Sequence, residues 1–190
     1  MALRKALTYS KKYARPYTRV SRAKGKSYIK VVPQNKVVRY QIGNIKAQLA
    51  GKYPFRLFMI SNEPIFVRDN ALEAARQLLT KRLDTELPNA YYLEVKAHPH
   101  HILRNNKTAA GAGADRMSTG MSRSFGDIEG RAAIVRAGGP LFLVACENEQ
   151  GTRIIREALN TARSKMPCAT RIVFEKIEKP LVAQTEYQSP

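Results

Sequence analysis

Apolar and polar residues alternate in short runs along most of this chain, and a helical period replaces the alternation in two places. Ser27-Tyr28-Ile29-Lys30-Val31-Val32, Lys36-Val37-Val38-Arg39-Tyr40-Gln41-Ile42 and Phe55-Arg56-Leu57-Phe58-Met59-Ile60 are rich in β-branched and aromatic residues and predict strands. Leu72, Ala75, Leu79 and Leu83 then keep helical spacing until Pro88, with Asp69 or Asn70 as cap and Glu73 placed for a capping box. Tyr91-Tyr92-Leu93-Glu94-Val95-Lys96-Ala97 alternates as a half-buried strand, and His101-Ile102-Leu103 predicts another. Arg131 to Arg136 and Leu141 to Ala145 flank Gly138-Gly139, a pair suited to a tight hairpin. Thr152 can cap a second helix whose stripe is Ile155, Ala158, Leu159, Ala162 and Met166, with Pro167 past its end, and Arg171 to Phe174 closes with a strand.

Many strands with two main helices, never in regular alternation, predict an α+β single domain of mostly antiparallel strands. Its expected parts are a basic amino-terminal extension over residues 1–25, a body over 26–178 and a tail over 179–190. Inside the body, residues 104–126 show little apolar periodicity. So long a loop in a compact domain is usually functional or disordered, and its Arg104, Lys107, Arg116 and Arg123 on a glycine-rich chain favour contact with phosphate.

Charge sharpens this picture. The 190 residues carry 33 Lys and Arg against 15 Asp and Glu, a formal +18, yet 44% hydrophobic residues leave enough apolar surface to close a core. Positive charge therefore gathers outside the core, and it does so unevenly: 15 basic residues precede the first carboxylate, Glu63. Arg4, Lys5, Lys11, Lys12, Arg15, Arg19, Arg22, Lys24 and Lys26 lead that run, interleaved with Tyr9, Tyr13, Tyr17 and Tyr28, whose rings can stack on unpaired bases. A segment this basic repels itself but gains free energy by releasing counterions from phosphates, so nucleic acid is the expected partner. A membrane is not, because Pro16 and Gly25 break any apolar stripe and no run reaches the ~18–20 apolar residues of a bilayer span.

Other chemistry finds little support. Gly111-Ala112-Gly113 has Arg116 where a dinucleotide loop needs glycine, no phosphate-binding P-loop occurs, and neither cysteine belongs to a Cys-x-x-Cys pair. Cys146 and Cys168 are expected to be buried small side chains in a soluble intracellular protein. Asn106-Lys107-Thr108 fits a glycosylation sequon only by accident of a polar loop. His98, His100 and His101 are better suited to packing or hydrogen bonding than to a metal, and no cofactor is expected. An enzyme acting on RNA would need a carboxylate or histidine cluster converging in space, for which Asp115 near His98 and His101 is the place to look. A free nucleic-acid-binding regulator or RNA chaperone is the other alternative.

Four blocks in order resemble one family: Ala71-Leu72-Glu73-Ala74-Ala75-Arg76, His98-Pro99-His100-His101-Ile102-Leu103-Arg104, Gly113-Ala114-Asp115-Arg116-Met117-Ser118-Thr119-Gly120-Met121, and Phe125-Gly126. The chain is similar to large-subunit ribosomal protein ten-e, the archaeal and eukaryotic counterpart of bacterial large-subunit protein sixteen. Thr108-Ala109-Ala110-Gly111 departs from that pattern. The resemblance implies a hammerhead-type α+β body, no catalysis, and partners comprising large-subunit rRNA, aminoacyl- and peptidyl-tRNA and neighbouring large-subunit proteins. It also implies a place near the central protuberance, with the loop reaching toward the peptidyl-transferase centre and with Lys107 and Arg116 as phosphate contacts, and a late role in subunit assembly.

Overall fold

The computed structural model describes residues 9, 17, 18, 29, 31–105 and 126–177. Its elements run β1 (Gln41–Gly43), α1 (Ile45–Leu49), β2 (Phe55–Ser61), β3 (Ile65–Arg68), α2 (Asp69–Glu86), β4 (Tyr91–Val95), β5 (His101–Asn105), β6 (Asp127–Val135), β7 (Pro140–Cys146), α3 (Glu149–Ala162), a 3-10 turn (Arg163–Lys165) and β8 (Thr170–Lys176). Two sheets result, one of five strands in the order β1-β4-β7-β2-β8 and one of three in the order β3-β6-β5. Every strand pair is antiparallel, as expected of the α+β class.

The main core lies between the larger sheet and the helices α2 and α3. Leu57, Met59, Leu93, Phe142 and Val144 project from the sheet onto Leu79, Leu83, Ile155 and Leu159 of the helices, all fully buried. Both predicted helical stripes are thus the buried faces of real helices, except that α3 ends at Ala162 and Met166, buried but extended, lies beyond the 3-10 turn. Ile65, Val67, Ala133 and Val135 join the same cluster from the smaller sheet, so α2 packs against both sheets and fixes their relation.

Several local expectations are corrected. The segments flanking Gly138-Gly139 are not a hairpin, since β6 belongs to the small sheet and β7 to the large one. Gly138 does take positive φ, +77°, but the turn serves as a corner between sheets: its N–H donates to the Ser61 carbonyl (2.7 Å), and the Ser61 N–H donates to the Gly139 carbonyl (3.0 Å). Ser61 ends β2, where the chain also changes sheet, so the two crossings hold each other.

No strand forms at Ile29, Val31 or Val32, nor at residues 36–40. The amides of Lys36 and Val38 donate instead to the carboxylates of Asp69 (3.3 Å) and Glu73 (3.4 Å), and Arg131 Nε donates to the Pro33 carbonyl (2.7 Å). Side chains satisfy this strap where a neighbouring strand would otherwise do so. Those bonds also undo the expected capping box, because α2 starts after Arg68 with no side-chain cap and Glu73 faces the strap, Arg76 and Gln77. Thr152 likewise lies inside the first turn of α3, its hydroxyl donating to the Glu149 carbonyl (2.6 Å). α1 and β3 have no counterpart in the sequence reading. Five and four residues are too few to establish a period, although Asn44 caps α1 by accepting from the Ala47 N–H (3.0 Å).

Candidate nucleic-acid interface

β5 is an edge strand of the small sheet, with Ile102 opposite Arg131 of β6 on one side. An open edge leaves backbone groups unpaired. Here Tyr17 meets it: the Ile102 N–H donates to the Tyr17 carbonyl (3.0 Å), and the Tyr17 N–H donates to His101 Nδ1 (2.9 Å). The Arg104 guanidinium carbon stands 3.7 Å over the centre of the Tyr17 ring, within cation–π range. Tyr9 continues the attachment, packing with Phe66, Leu103 and Ala132 while its hydroxyl donates to Glu129 Oε2 (2.5 Å).

This docking assigns His101 a definite chemical state. The ring is buried against Phe66, and burial, reinforced by the Arg104 charge, holds its pKa below the ordinary histidine value. A neutral imidazole with Nδ1 free to accept is what the Tyr17 amide requires, so the remaining proton resides on Nε2. His101 therefore both packs, against Phe66, and hydrogen-bonds, accepting from a backbone amide.

Two further expectations change. Arg104 is not a loop residue: it lies half-buried in β5, and Arg104 and Asn105 pair with Ile128 and Asp127 of β6. The long stretch between them is thus the connection of a β5–β6 hairpin. Tyr9 is a buried packing ring and Tyr17 carries a guanidinium, so neither is an open platform for bases. Arg4, Lys5, Lys11, Lys12, Arg15, Arg19, Arg22, Lys24, Lys26, Lys107, Arg116 and Arg123 lie outside the described residues, as do Tyr13, Tyr28 and Asp115.

The strap adds exposed charge on the same carboxylate-free part of the chain. Asp69 and Glu73 are nearly fully buried and bind it through backbone amides, while the exposed Lys36 and Arg39 form no ion pair among the described residues. Hydrogen bonding from Arg76 holds the Glu73 carboxyl below the usual carboxylate range, so it stays ionised under the strap. Tyr40 ends the strap, with its hydroxyl accepting from Asn35 Nδ2 (2.6 Å) and its carbonyl from the Val95 N–H (2.8 Å). His98 stacks on Tyr40 with ring centres 4.6 Å apart, and His100 stacks on His98 at 5.9 Å. The sequence reading missed this stack. His-x-His in a non-helical stretch, which places both rings on one side, was the available signal.

Nucleophilic and metal chemistry are poorly served. Burial pushes the Cys146 thiol up to about 11 and also raises Cys168, which is only partly buried. Among the described residues no group of three or more His, Cys, Asp or Glu side chains could hold a metal ion, and no helix is long and apolar enough to cross a membrane. Two surface hollows, of about 310 and 410 Å³, are lined by residues of α3, β2 and β8, not by β5 or β6.

Fold and surface together define a class: an α+β scaffold that fastens Tyr9 and Tyr17 of its carboxylate-free basic stretch to the sheet from which its longest connection departs. Comparison with known proteins makes the class specific. A family model described as Ribosomal protein L16p/L10e matches residues 13–173. The chain is 40% identical over 177 residues to the large ribosomal subunit protein uL16 of Methanococcus maripaludis, covering 93% of this chain and 96% of the relative. The uL16 of Staphylothermus marinus is 38% identical over 179 residues (94% and 97% covered), and that of Archaeoglobus fulgidus 39% over 174 (91% and 94%). The chain belongs to the L16p/L10e family of large-subunit ribosomal proteins, a structural and not an enzymatic family.

Proposed function

We propose that this chain binds large-subunit rRNA near the central protuberance and helps shape the path of aminoacyl-tRNA. The observation that carries this reading is the junction at β5. Tyr17 bonds to His101 and Ile102, and the same strand leads within a few residues into the long β5–β6 connection, so two basic stretches are tied to one small sheet. In this reading Arg4, Lys5, Lys11, Lys12, Arg15, Arg19, Arg22, Lys24 and Lys26 neutralise rRNA phosphates and set the protein's register on the RNA. Lys107, Arg116 and Arg123 serve the side that faces the peptidyl-transferase centre and the tRNA acceptor end. Arg104 acts behind them by holding Tyr17 to β5. The contribution is positional: phosphate repulsion falls and fewer RNA conformations remain open, while the RNA performs the chemistry. Neighbouring large-subunit proteins complete the setting.

Sedimentation of cell lysate tests the location. Stoichiometric migration with large subunits and polysomes is expected at low salt. Salt should strip the protein steeply, since a protein with roughly 6–10 phosphate contacts loses about 10³–10⁵ in affinity between 50 and 200 mM salt on duplex DNA. Residence at the top of the low-salt gradient would sink the reading in favour of a free RNA-binding regulator. The tRNA role is tested by Lys107→Ala with Arg116→Ala, which should slow tRNA accommodation or subunit maturation while leaving the isolated body folded.

A further inference from the structure

The Tyr40–His98–His100 stack starts at the main core, against which Tyr40 packs, and runs outward to two exposed histidines. Burial alternates along its connection between β4 and β5: His98 is exposed, Pro99 buried and His100 exposed. Two residues of extended chain rise about 6.6 Å, near the 5.9 Å that separates the His98 and His100 ring centres. The rings are inclined by only 20° and 14° from one to the next, so three planar groups form one continuous pile. Tyr40 anchors its inner end through Asn35 and Val95. His98 is stacked between Tyr40 and His100. Among the described residues no further ring lies on His100, whose outer face ends the pile.

We propose that this pile is a stacking platform for one unpaired nucleobase of RNA, which seats on the outer face of His100. Stacking on a flat π face suits any base, and a preassembled pile has already met the ordering cost that a lone flexible ring would meet on binding. The surroundings fit a nucleotide and not merely an apolar group. Arg39 adjoins Tyr40 in sequence, Lys36 lies on the same strap, both are exposed, and no carboxylate precedes Glu63. The strap that leads into the pile is therefore basic, which favours a polyanion as the source of the stacked group. This inference rests on the reading that the chain faces RNA, and it assigns a base contact in addition to the phosphate contacts made by lysine and arginine.

The test uses the full chain and a single-stranded RNA oligonucleotide carrying one 2-aminopurine, whose fluorescence is quenched on stacking. The unaltered protein should bind and quench. His100→Ala should weaken binding roughly tenfold, within the range that alanine substitution of a stacking ring produces, and should relieve the quench. His100→Phe should restore both, because the π face and not the imidazole is required, while His100→Leu should not. Thermal melting of each variant verifies the fold, which an exposed position should leave unchanged. Equal binding and quenching by His100→Ala would overturn the platform and leave the phosphate reading standing. No binding by the unaltered chain at low salt would overturn the RNA reading itself.

Discussion

Replacing Arg104 with Ala removes one of the contacts that hold Tyr17 to β5. Two hydrogen bonds also hold it, from the Tyr17 N–H to His101 Nδ1 (2.9 Å) and from the Ile102 N–H to the Tyr17 carbonyl (3.0 Å), each worth about 1 kcal/mol net. The guanidinium lies 3.7 Å over the ring and both partners are half-buried, so its contribution falls between the exposed and desolvated limits of about 0.5 and 2 kcal/mol. A central value of about 1 kcal/mol would make local opening of the junction about fivefold more frequent. Hydrogen exchange at the Ile102 amide reads this directly, because its proton is covered by the Tyr17 carbonyl. Arg104→Ala should raise that exchange about fivefold, with the global unfolding midpoint little changed, since the main core lies elsewhere. Arg104→Lys should recover part of the protection by keeping the charge while losing the planar group. A double-mutant cycle with Tyr17→Leu isolates the pair. Unaltered exchange at Ile102, or strictly additive effects in the cycle, would refute the clip.

The same junction predicts a pH dependence. His101 has a folded pKa below its unfolded value, so between about 6.5 and the folded pKa the folded state binds fewer protons than the unfolded one; stability is complete above that window and declines as pH falls through it. His101→Asn, which can still accept from the Tyr17 amide, should flatten the decline in a series of thermal melts. Gly43→Ala should be severe, because φ is +90° and the new Cβ would lie 2.3 Å from the Tyr91 carbonyl oxygen; the backbone strain alone costs about 1–3 kcal/mol, read as a lowered denaturation midpoint. Leu159→Ala, at a fully buried position on α3, should cost about 2–5 kcal/mol, whereas Arg153→Ala on the exposed face of the same helix should stay within about 0.5 kcal/mol in the same denaturant titration.

What the sequence determined by itself was whatever a local period or a local count encodes. The stripes Leu72-Ala75-Leu79-Leu83 and Ile155-Ala158-Leu159-Ala162 became the buried faces of α2 and α3, because a helical period depends on near neighbours alone. The runs at Phe55, Tyr91, Leu141 and Arg171 became strands of one sheet for the same reason. The carboxylate-free beginning and the four family blocks were equally visible without any folding.

Only the tertiary structure decided which strands share a sheet and what each polar group faces. Two glycines announce a turn, but whether that turn closes a hairpin or bridges two sheets depends on Ser61, which lies 77 residues earlier. The run Lys36 to Tyr40 has the composition of a strand, yet Asp69 and Glu73 satisfy its amides before any neighbouring strand can. Arg104 reads as a loop cation until β6 is seen to pair with it and Tyr17 is found beneath its guanidinium. His98 and His100 appear as three-letter neighbours of a proline until Tyr40, some 58 residues away, sets the plane in which they stack. Each of these facts joins residues far apart in the chain, and such pairings are fixed by the packing of α2 between two sheets, which no local pattern contains.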